Sequence, residues 1–265
     1  MKLSGKVVVI SGAGNGMGRQ MTIEALARGA SVFGVDLNEE ALAETAKITG
    51  SEKFAYASAN IADRERVMAL PDEVIAKFGT IDILVNNAGI IQPFVRVNQL
   101  EFKDIDRVMA VNFNGPVNMV KAFLPHLLKR PAAQIANVSS MGAYAPVPGQ
   151  TIYGASKAAV KLFTEGLRTE LYGTPVKVTL IYPGAINTNI AGNSGLKMEM
   201  PAGAEMKQPK TTPVETAGKI MITAIENEAP RAFVGGDAAM LDKMARLMPV
   251  KVADIIYNQM KNLLS

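Results

Sequence analysis

The stretch "ISGAGNGMGRQ", residues 10–20, sets four glycines between an apolar run, "KVVV" at 6–9, and a segment with helical spacing. Read from Gly12, the fingerprint G-x-G-x-x-G requires glycine at 17 and meets Met17; read from Gly14, it requires glycine at 19 and meets Arg19. The spacing present is G-x-x-x-G-x-G, on Gly12, Gly16 and Gly18. In a strand–turn–helix such glycines let the backbone turn tightly, let a diphosphate approach the amides and let helix and strand pack closely. The helix N-terminus adds free N–H groups and partial positive charge. Asn15 and Met17 complete the expected lining of this loop. A glycine-rich turn that binds nothing has the same appearance, so the reading depends on what the rest of the chain supplies.

Outward from this turn, short β-rich runs recur at 6–11, 31–36, 53–58, 81–86, 133–139, 176–182 and 231–236. Helical spacing fills 17–29, 39–48, 63–78, 104–129 and 153–172 between them. Strict alternation of strand and helix requires right-handed crossovers and a parallel sheet with helices on both faces. The runs are nearly continuous in apolar residues, as strands buried on both faces should be. The expected fold is therefore α/β, a doubly wound parallel sheet of Rossmann type. No Pro/Gly/Ser-rich linker divides the pattern, so one domain is expected over 1–265. Residues 187–212 break the rhythm with glycines and three methionines and read as an irregular substrate lid, while 237–265 read as a C-terminal helical tail.

Composition narrows the chemistry. Of 265 residues, 28 are Lys or Arg and 24 Asp or Glu; the net charge of +4 is scattered rather than clustered, so nucleic acid is not an expected partner. No apolar run approaches the roughly 18 residues of a membrane span, and "KVVVI" is too short for a signal-peptide core, which makes the cytoplasm the expected address. With no cysteine and one histidine, no thiolate nucleophile and no metal site is expected. The chemistry must use oxygen and nitrogen side chains or a cofactor.

Asp36 ends the second strand 18 residues after Gly18, close to the roughly 20-residue offset at which an acidic side chain meets an adenosine ribose. A carboxylate there accepts from ribose hydroxyls and repels a 2′-phosphate. At about 4 Å the repulsion is roughly 2 kcal/mol even at the dielectric of water, so the expected cofactor is NAD rather than NADP. Further along, "TIYGASKAAV" places Tyr153 and Lys157 four residues apart on one helix face. An ammonium roughly 5 Å from the phenol, at an effective dielectric near 20, stabilises the phenolate by about 3 kcal/mol. This predicts a tyrosine brought toward neutral pH, where general acid–base catalysis works best.

Four motifs, "SGAGNGMG" (11–18), "NNAG" (86–89), "NVSS" (137–140) and "YGASK" (153–157), stand in an order and spacing that resembles the short-chain dehydrogenase/reductase family over about residues 3–234. "PGAINT" (183–188) resembles the segment that closes over the nicotinamide in that family. The resemblance implies that Tyr153 exchanges a proton with the substrate oxygen and that Ser140 hydrogen-bonds that oxygen. It implies that Lys157 depresses the tyrosine pKa and grips the nicotinamide ribose, and that Asn112 holds a water extending the proton relay. It also implies cofactor contacts from Gly12, Gly16, Gly18, Asp36, Leu37, Asn60, Ile61, Asn87, Ala88, Gly89, Tyr153, Lys157, Pro183, Gly184, Ile186 and Thr188. Asn60 stands where the family commonly has an aspartate facing the adenine amino group, and Ser11 where threonine is more usual. The implied activity is NAD-dependent interconversion of a secondary alcohol and a ketone, on an apolar small molecule. The rivals are reduction of a 3-oxoacyl thioester, epimerisation or dehydration on the same fold, and a catalytically silent nucleotide-binding scaffold.

Other features have plainer readings. His126 sits late in a long helix, Asp63 is an N-terminal acid for its helix, Asn38 suits a cap for the segment from 39, and Ser139 is the less suitable serine of its pair. Met198, Met200 and Met206 suit an adaptable lid. The helices over 104–129 and 153–172 are those by which family members usually assemble, so a homotetramer or homodimer is expected.

Overall fold

The computed structural model describes residues 1–195 and 211–261. Among the described residues seven strands form, β1 (Val7–Ser11), β2 (Ser31–Asp36), β3 (Phe54–Ser58), β4 (Ile83–Asn86), β5 (Ala133–Val138), β6 (Val176–Pro183) and β7 (Arg231–Val234). The helices among the described residues are α1 (Gly16–Ala27), α2 (Glu39–Thr49), α3 (Arg64–Phe78), α4 (Phe102–Met109), α5 (Gly115–Leu127), α6 (Thr151–Glu170), α7 (Ile190–Asn193), α8 (Val214–Glu226), α9 (Gly236–Leu247) and α10 (Pro249–Met260). All seven strands pair in parallel, in the order β3-β2-β1-β4-β5-β6-β7. Each run read from the sequence as a strand is one.

Two-residue periodicity divides the core between the faces of the sheet. Val7 and Val9 point to one side, among Leu70 and Val74 of α3, Phe123 and Leu127 of α5 and Leu167 of α6. Val8 and Ile10 point to the other, among Met21 and Ala25 of α1, Leu42 of α2 and Met221, Ile222 and Ile225 of α8. Phe123 is fully buried, and its truncation to alanine would cost about 3–5 kcal/mol. Caps set the helix ends: Asn38 Oδ1 accepts from Ala41 N–H at 3.0 Å, and Asp63 Oδ1 from Arg66 N–H at 3.1 Å.

Two features differ from the sequence reading. The helix expected over 104–129 is α4 and α5 joined by one widened π-helical turn over Ala110–Asn114. Pro116, in the first turn of α5, has no N–H to return to the carbonyl four residues earlier, that of Asn112. The Asn112 side chain is also held by another segment, and π turns of this kind accompany functional sites. Second, α8 has no counterpart among the segments read as helical from spacing. It buries Ala217, Gly218, Met221, Ile222, Ala224 and Ile225, too broad a face for simple amphipathic spacing.

The strand order reverses between β1 and β4, so the connections leaving these two strands diverge and open a crevice at their carboxyl ends. The glycine loop and "NNAG" flank that crevice. Of the expected lid, the described part includes α7 and a single bridge between Ile186 and Thr212, whereas Met198, Met200 and Met206 lie outside the described residues. The tail is helical as expected, as α9 and α10.

Candidate active site

Ser11 joins the two sides of the crevice. Its hydroxyl accepts from the N–H groups of Asn87 at 3.0 Å and Ala88 at 3.2 Å, while Asn87 Nδ2 donates to the Ser11 carbonyl at 3.0 Å. A hydroxyl suffices for this, which explains why serine serves in place of threonine. Gly12 has φ +72°, in the left-handed region, and a methyl group on Gly18 would lie 1.8 Å from the Gly12 carbonyl oxygen. The loop therefore folds onto the first turn of α1 with no room for side chains. Asn15 precedes that helix without a side-chain cap, so no side chain competes for its opening amides.

Asp36 is tied to this loop. Its Oδ2 accepts from Gly14 N–H at 2.9 Å and Oδ1 from Asn38 N–H at 3.1 Å. Arg19 faces the same loop from behind, its guanidinium held by the carbonyl of Gly14 and the hydroxyl of Thr45 and paired with Glu44. Leu37, beyond Asp36, is 71% exposed at the edge of the crevice. Asn60 is exposed and its Oδ1 accepts from Ala62 N–H at 3.0 Å, so the oxygen expected to face adenine already takes part in a local turn. Ile61 is buried against Gly115. Met17 packs its side chain toward the core below.

On the other side of the crevice, the strand ends bring the expected set together. Ser140 follows β5 and begins a short 3-10 turn over Met141–Ala143, its hydroxyl accepting from Gly142 N–H at 3.0 Å. The phenol of Tyr153 stands close enough to that hydroxyl for Ser140 to ease its ionisation. Ser139 instead donates to the backbone carbonyl of Lys157 at 2.8 Å, a structural duty. Lys157 is 4% exposed; its Nζ donates to the Val138 carbonyl at 3.2 Å and lies 6.0 Å from the centre of the Tyr153 ring. Asn112 is fully buried: Oδ1 accepts from Ile90 N–H at 2.8 Å, and Nδ2 donates to the Ile90 carbonyl at 2.9 Å and to Ser156 Oγ at 3.0 Å. A methyl group on Gly89 would lie 3.0 Å from Lys157 Nζ and 3.4 Å from Asn112 Oδ1, so the bare backbone of "NNAG" forms one wall of the group.

The electrostatics depart from the sequence expectation. Burial pushes the Tyr153 phenol above its ordinary value, and Ser140 pulls it only part of the way back. Burial also lowers the Lys157 ammonium to about 8. Desolvation acts on both members of the pair and outweighs the attraction between ammonium and phenolate. The same enclosure that brings the groups together opposes their charges.

Pro183 ends β6, and Gly184 N–H donates to the Val234 carbonyl at 2.9 Å. The next residues are clamped by the tail, because Asp237 Oδ2 accepts from Ala185 N–H at 2.8 Å. The Ile186 bridge to Thr212 continues the clamp, and Thr188 reaches across to Gly16, where an added methyl would meet its Cγ2 at 3.6 Å. Asp237 and Gln92, described below, were not recognised from the sequence. Both act on segments distant in the chain, and neither lies in a motif. His126 lies at the far end of α5, as expected of a residue outside the site.

A family model of short chain dehydrogenases matches residues 6–199, and the chain belongs to this family, the short-chain dehydrogenases/reductases. The Mycobacterium tuberculosis protein SadH is 37% identical over 252 residues, spanning 92% of this chain and 91% of SadH. Among solved structures, a short-chain dehydrogenase/reductase of Burkholderia phymatum in complex with NAD has a TM-score of 0.84 at 25% identity, over 95% of each chain. A short-chain dehydrogenase of Burkholderia cenocepacia in complex with NADP has a TM-score of 0.80 at 26% identity, over 97% of this chain and 99% of the other. No helix among the described residues is long and apolar enough to cross a membrane.

Proposed function

We propose that the chain is an NAD-dependent oxidoreductase that interconverts a secondary alcohol and a ketone, with Tyr153 as the acid–base group. The observation that carries this reading is the meeting of Asn112, Ser140, Tyr153 and Lys157, from three separate segments, beside the glycine loop at the carboxyl edge of the sheet. A silent scaffold has no need of that arrangement.

The residues present fit a nicotinamide dinucleotide. The glycine loop admits backbone approach, the first turn of α1 has no side-chain cap, and Asn87 Oδ1 is buried with no hydrogen-bond partner, an acceptor suited to a ribose hydroxyl. Asp36 keeps lone pairs free beyond its two backbone bonds, and Arg19, the cation of this loop, is committed elsewhere, so a 2′-phosphate would meet a carboxylate that Arg19 does not offset. This supports NAD over NADP. When bound, the cofactor supplies or takes up the hydride.

The protein's own share is position and proton transfer. Ser140 donates a hydrogen bond to the substrate oxygen, and Tyr153 gives that oxygen a proton in ketone reduction or takes one in alcohol oxidation. Because burial favours the neutral phenol, Tyr153 is set to donate at neutral pH. Lys157 holds positive charge behind the phenol below about pH 8. Asn112 fixes the Ile90 backbone through both ends of its amide. The loop "MGAYAPV" (141–147) adds little polarity, which supports an apolar substrate. Leu162, 69% exposed on α6, supports assembly into a dimer or tetramer through that helix.

The test is a spectrophotometric screen at 340 nm with both cofactors against alcohols, ketones and 3-oxoacyl thioesters, run beside Tyr153→Phe. Turnover with a secondary alcohol or ketone, lost in the variant with NAD affinity kept within a few fold, is the expected result. NAD binding without turnover of any compound would identify a scaffold, and an active Tyr153→Phe would remove the acid–base role.

A further inference from the structure

The helix that carries Tyr153 and Lys157 begins without a cap of its own. Gln150 is its cap residue, its side chain makes no capping bond, and no acidic residue stands in the first turn. The opening amides are met from another segment. Gln92, fully buried on the stretch after β4, presents Oε1 to the N–H groups of Ile152 and Tyr153, each at 2.9 Å. Its own carbonyl accepts from Gln150 Nε2 at 2.7 Å. Two donors on one oxygen fix which end of the carboxamide faces the helix. The same stretch holds Asn112 through Ile90, so Ile90 and Gln92, with one residue between them, each reach a member of the site.

We propose that Gln92 is a positioning residue for Tyr153: a neutral cap, supplied from the β4 side, that fixes the tyrosine backbone against Ser140 without placing negative charge near the phenol. The inference rests on Tyr153 being the acid–base group. A carboxylate would satisfy the same two amides and would interact more favourably with a helix N-terminus. Its charge would also reach the phenol through enclosed, weakly screening surroundings and oppose ionisation. The groups that face the phenol are Lys157 from its own helix and the neutral hydroxyl of Ser140 from the β5 side, with the neutral Asn112 behind Lys157 from the π turn. The stretch 90–92, Ile-Ile-Gln, adds no charge. A carboxamide therefore provides the acceptor that the helix needs and leaves Lys157 as the charge acting on the phenol.

Three variants of the full chain test this: Gln92→Leu, Gln92→Glu and Tyr153→Phe. With the acceptor gone, Gln92→Leu should lose on the order of 10- to 100-fold in kcat, as misplacement of a reacting group does, with KM for NAD within twofold. Gln92→Glu keeps both bonds. Enclosed without a partner for its second oxygen, the carboxyl should cost some stability and ionise only at raised pH. Once ionised it should raise the pH of half-maximal rate of alcohol oxidation by about one unit, with kcat recovered at high pH. An unshifted pH profile in Gln92→Glu, or full kcat in Gln92→Leu, overturns the proposal; the Glu variant decides it alone if the Leu variant does not fold. An active Tyr153→Phe would instead overturn the acid–base reading beneath it.

Discussion

Lys157 is an ammonium with 4% of its surface exposed, and burial lowers its pKa from 10.5 to about 8. Consider its replacement by methionine, an unbranched side chain of similar length without charge. Between about pH 8 and 10.5 the unfolded chain binds a proton at this position that the folded chain does not, so stability rises with pH across that window. Below about 8 both states are protonated and the full penalty of the buried charge stands. A shift of about 2.5 units at 1.36 kcal/mol each is about 3 kcal/mol. Lys157→Met removes that penalty and also removes the bond to the Val138 carbonyl, worth about 1 kcal/mol. The variant should therefore be more stable than the parent at pH 7 by about 2 kcal/mol, and inactive. Above pH 10.5 the parent lysine is neutral in both states, so the gain should vanish and the lost hydrogen bond should leave the variant slightly weaker. Urea denaturation of both proteins without nucleotide, at pH 7 and again above pH 10.5, measures the difference directly. A variant less stable at pH 7, or a difference that does not change with pH, would refute the account of Lys157 as a charge kept for function against the interest of the fold.

Three further outcomes are expected. Asp36→Ala should narrow the preference for NAD over NADP by roughly 1 to 3 kcal/mol, read from kcat/KM with each cofactor; a parent that already prefers NADP contradicts the carboxylate argument. Asp237→Ala should loosen the 184–188 loop and weaken NAD binding about tenfold, with Asp237→Asn milder because it keeps an acceptor for Ala185; unchanged affinity in titrations of both variants counts against the clamp. Because burial raises the Tyr153 phenol, alcohol oxidation, which needs the phenolate, should climb as pH rises above neutrality while ketone reduction falls. Initial rates in both directions from pH 6 to 10 decide it, and a flat oxidation profile would be the adverse result.

The sheet was legible because its signal is local. A strand buried on both faces is a short apolar run, and "KVVVIS", "IDILVN" and "VKVTLIY" are such runs whatever surrounds them. The caps Asn38 and Asp63 were legible for the same reason, since each bonds an amide three residues on. The π turn was not, because it depends on Pro116 withholding a donor while Ile90, twenty-two residues before Asn112, holds the side chain. Gln92 and Asp237 were silent in the sequence because a side chain that caps a distant backbone leaves no spacing pattern.

The pairing of Tyr153 with Lys157 shows where spacing stops being sufficient. Four residues on a helix place two side chains on one face, and that much was readable. Whether the lysine makes the phenol acidic depends on how much water the site excludes, a property of Val138, Gly89, Asn112 and the helix walls together. Exclusion strengthens the attraction between ammonium and phenolate and at the same time penalises each charge alone. In this arrangement the penalties prevail: the phenol is raised and the ammonium lowered. An enzyme of this design keeps the phenol neutral at pH 7 beside an ammonium that is still charged but close to releasing its proton. A second negative charge nearby would upset that balance, which is the physical reason for a carboxamide, and not a carboxylate, at position 92.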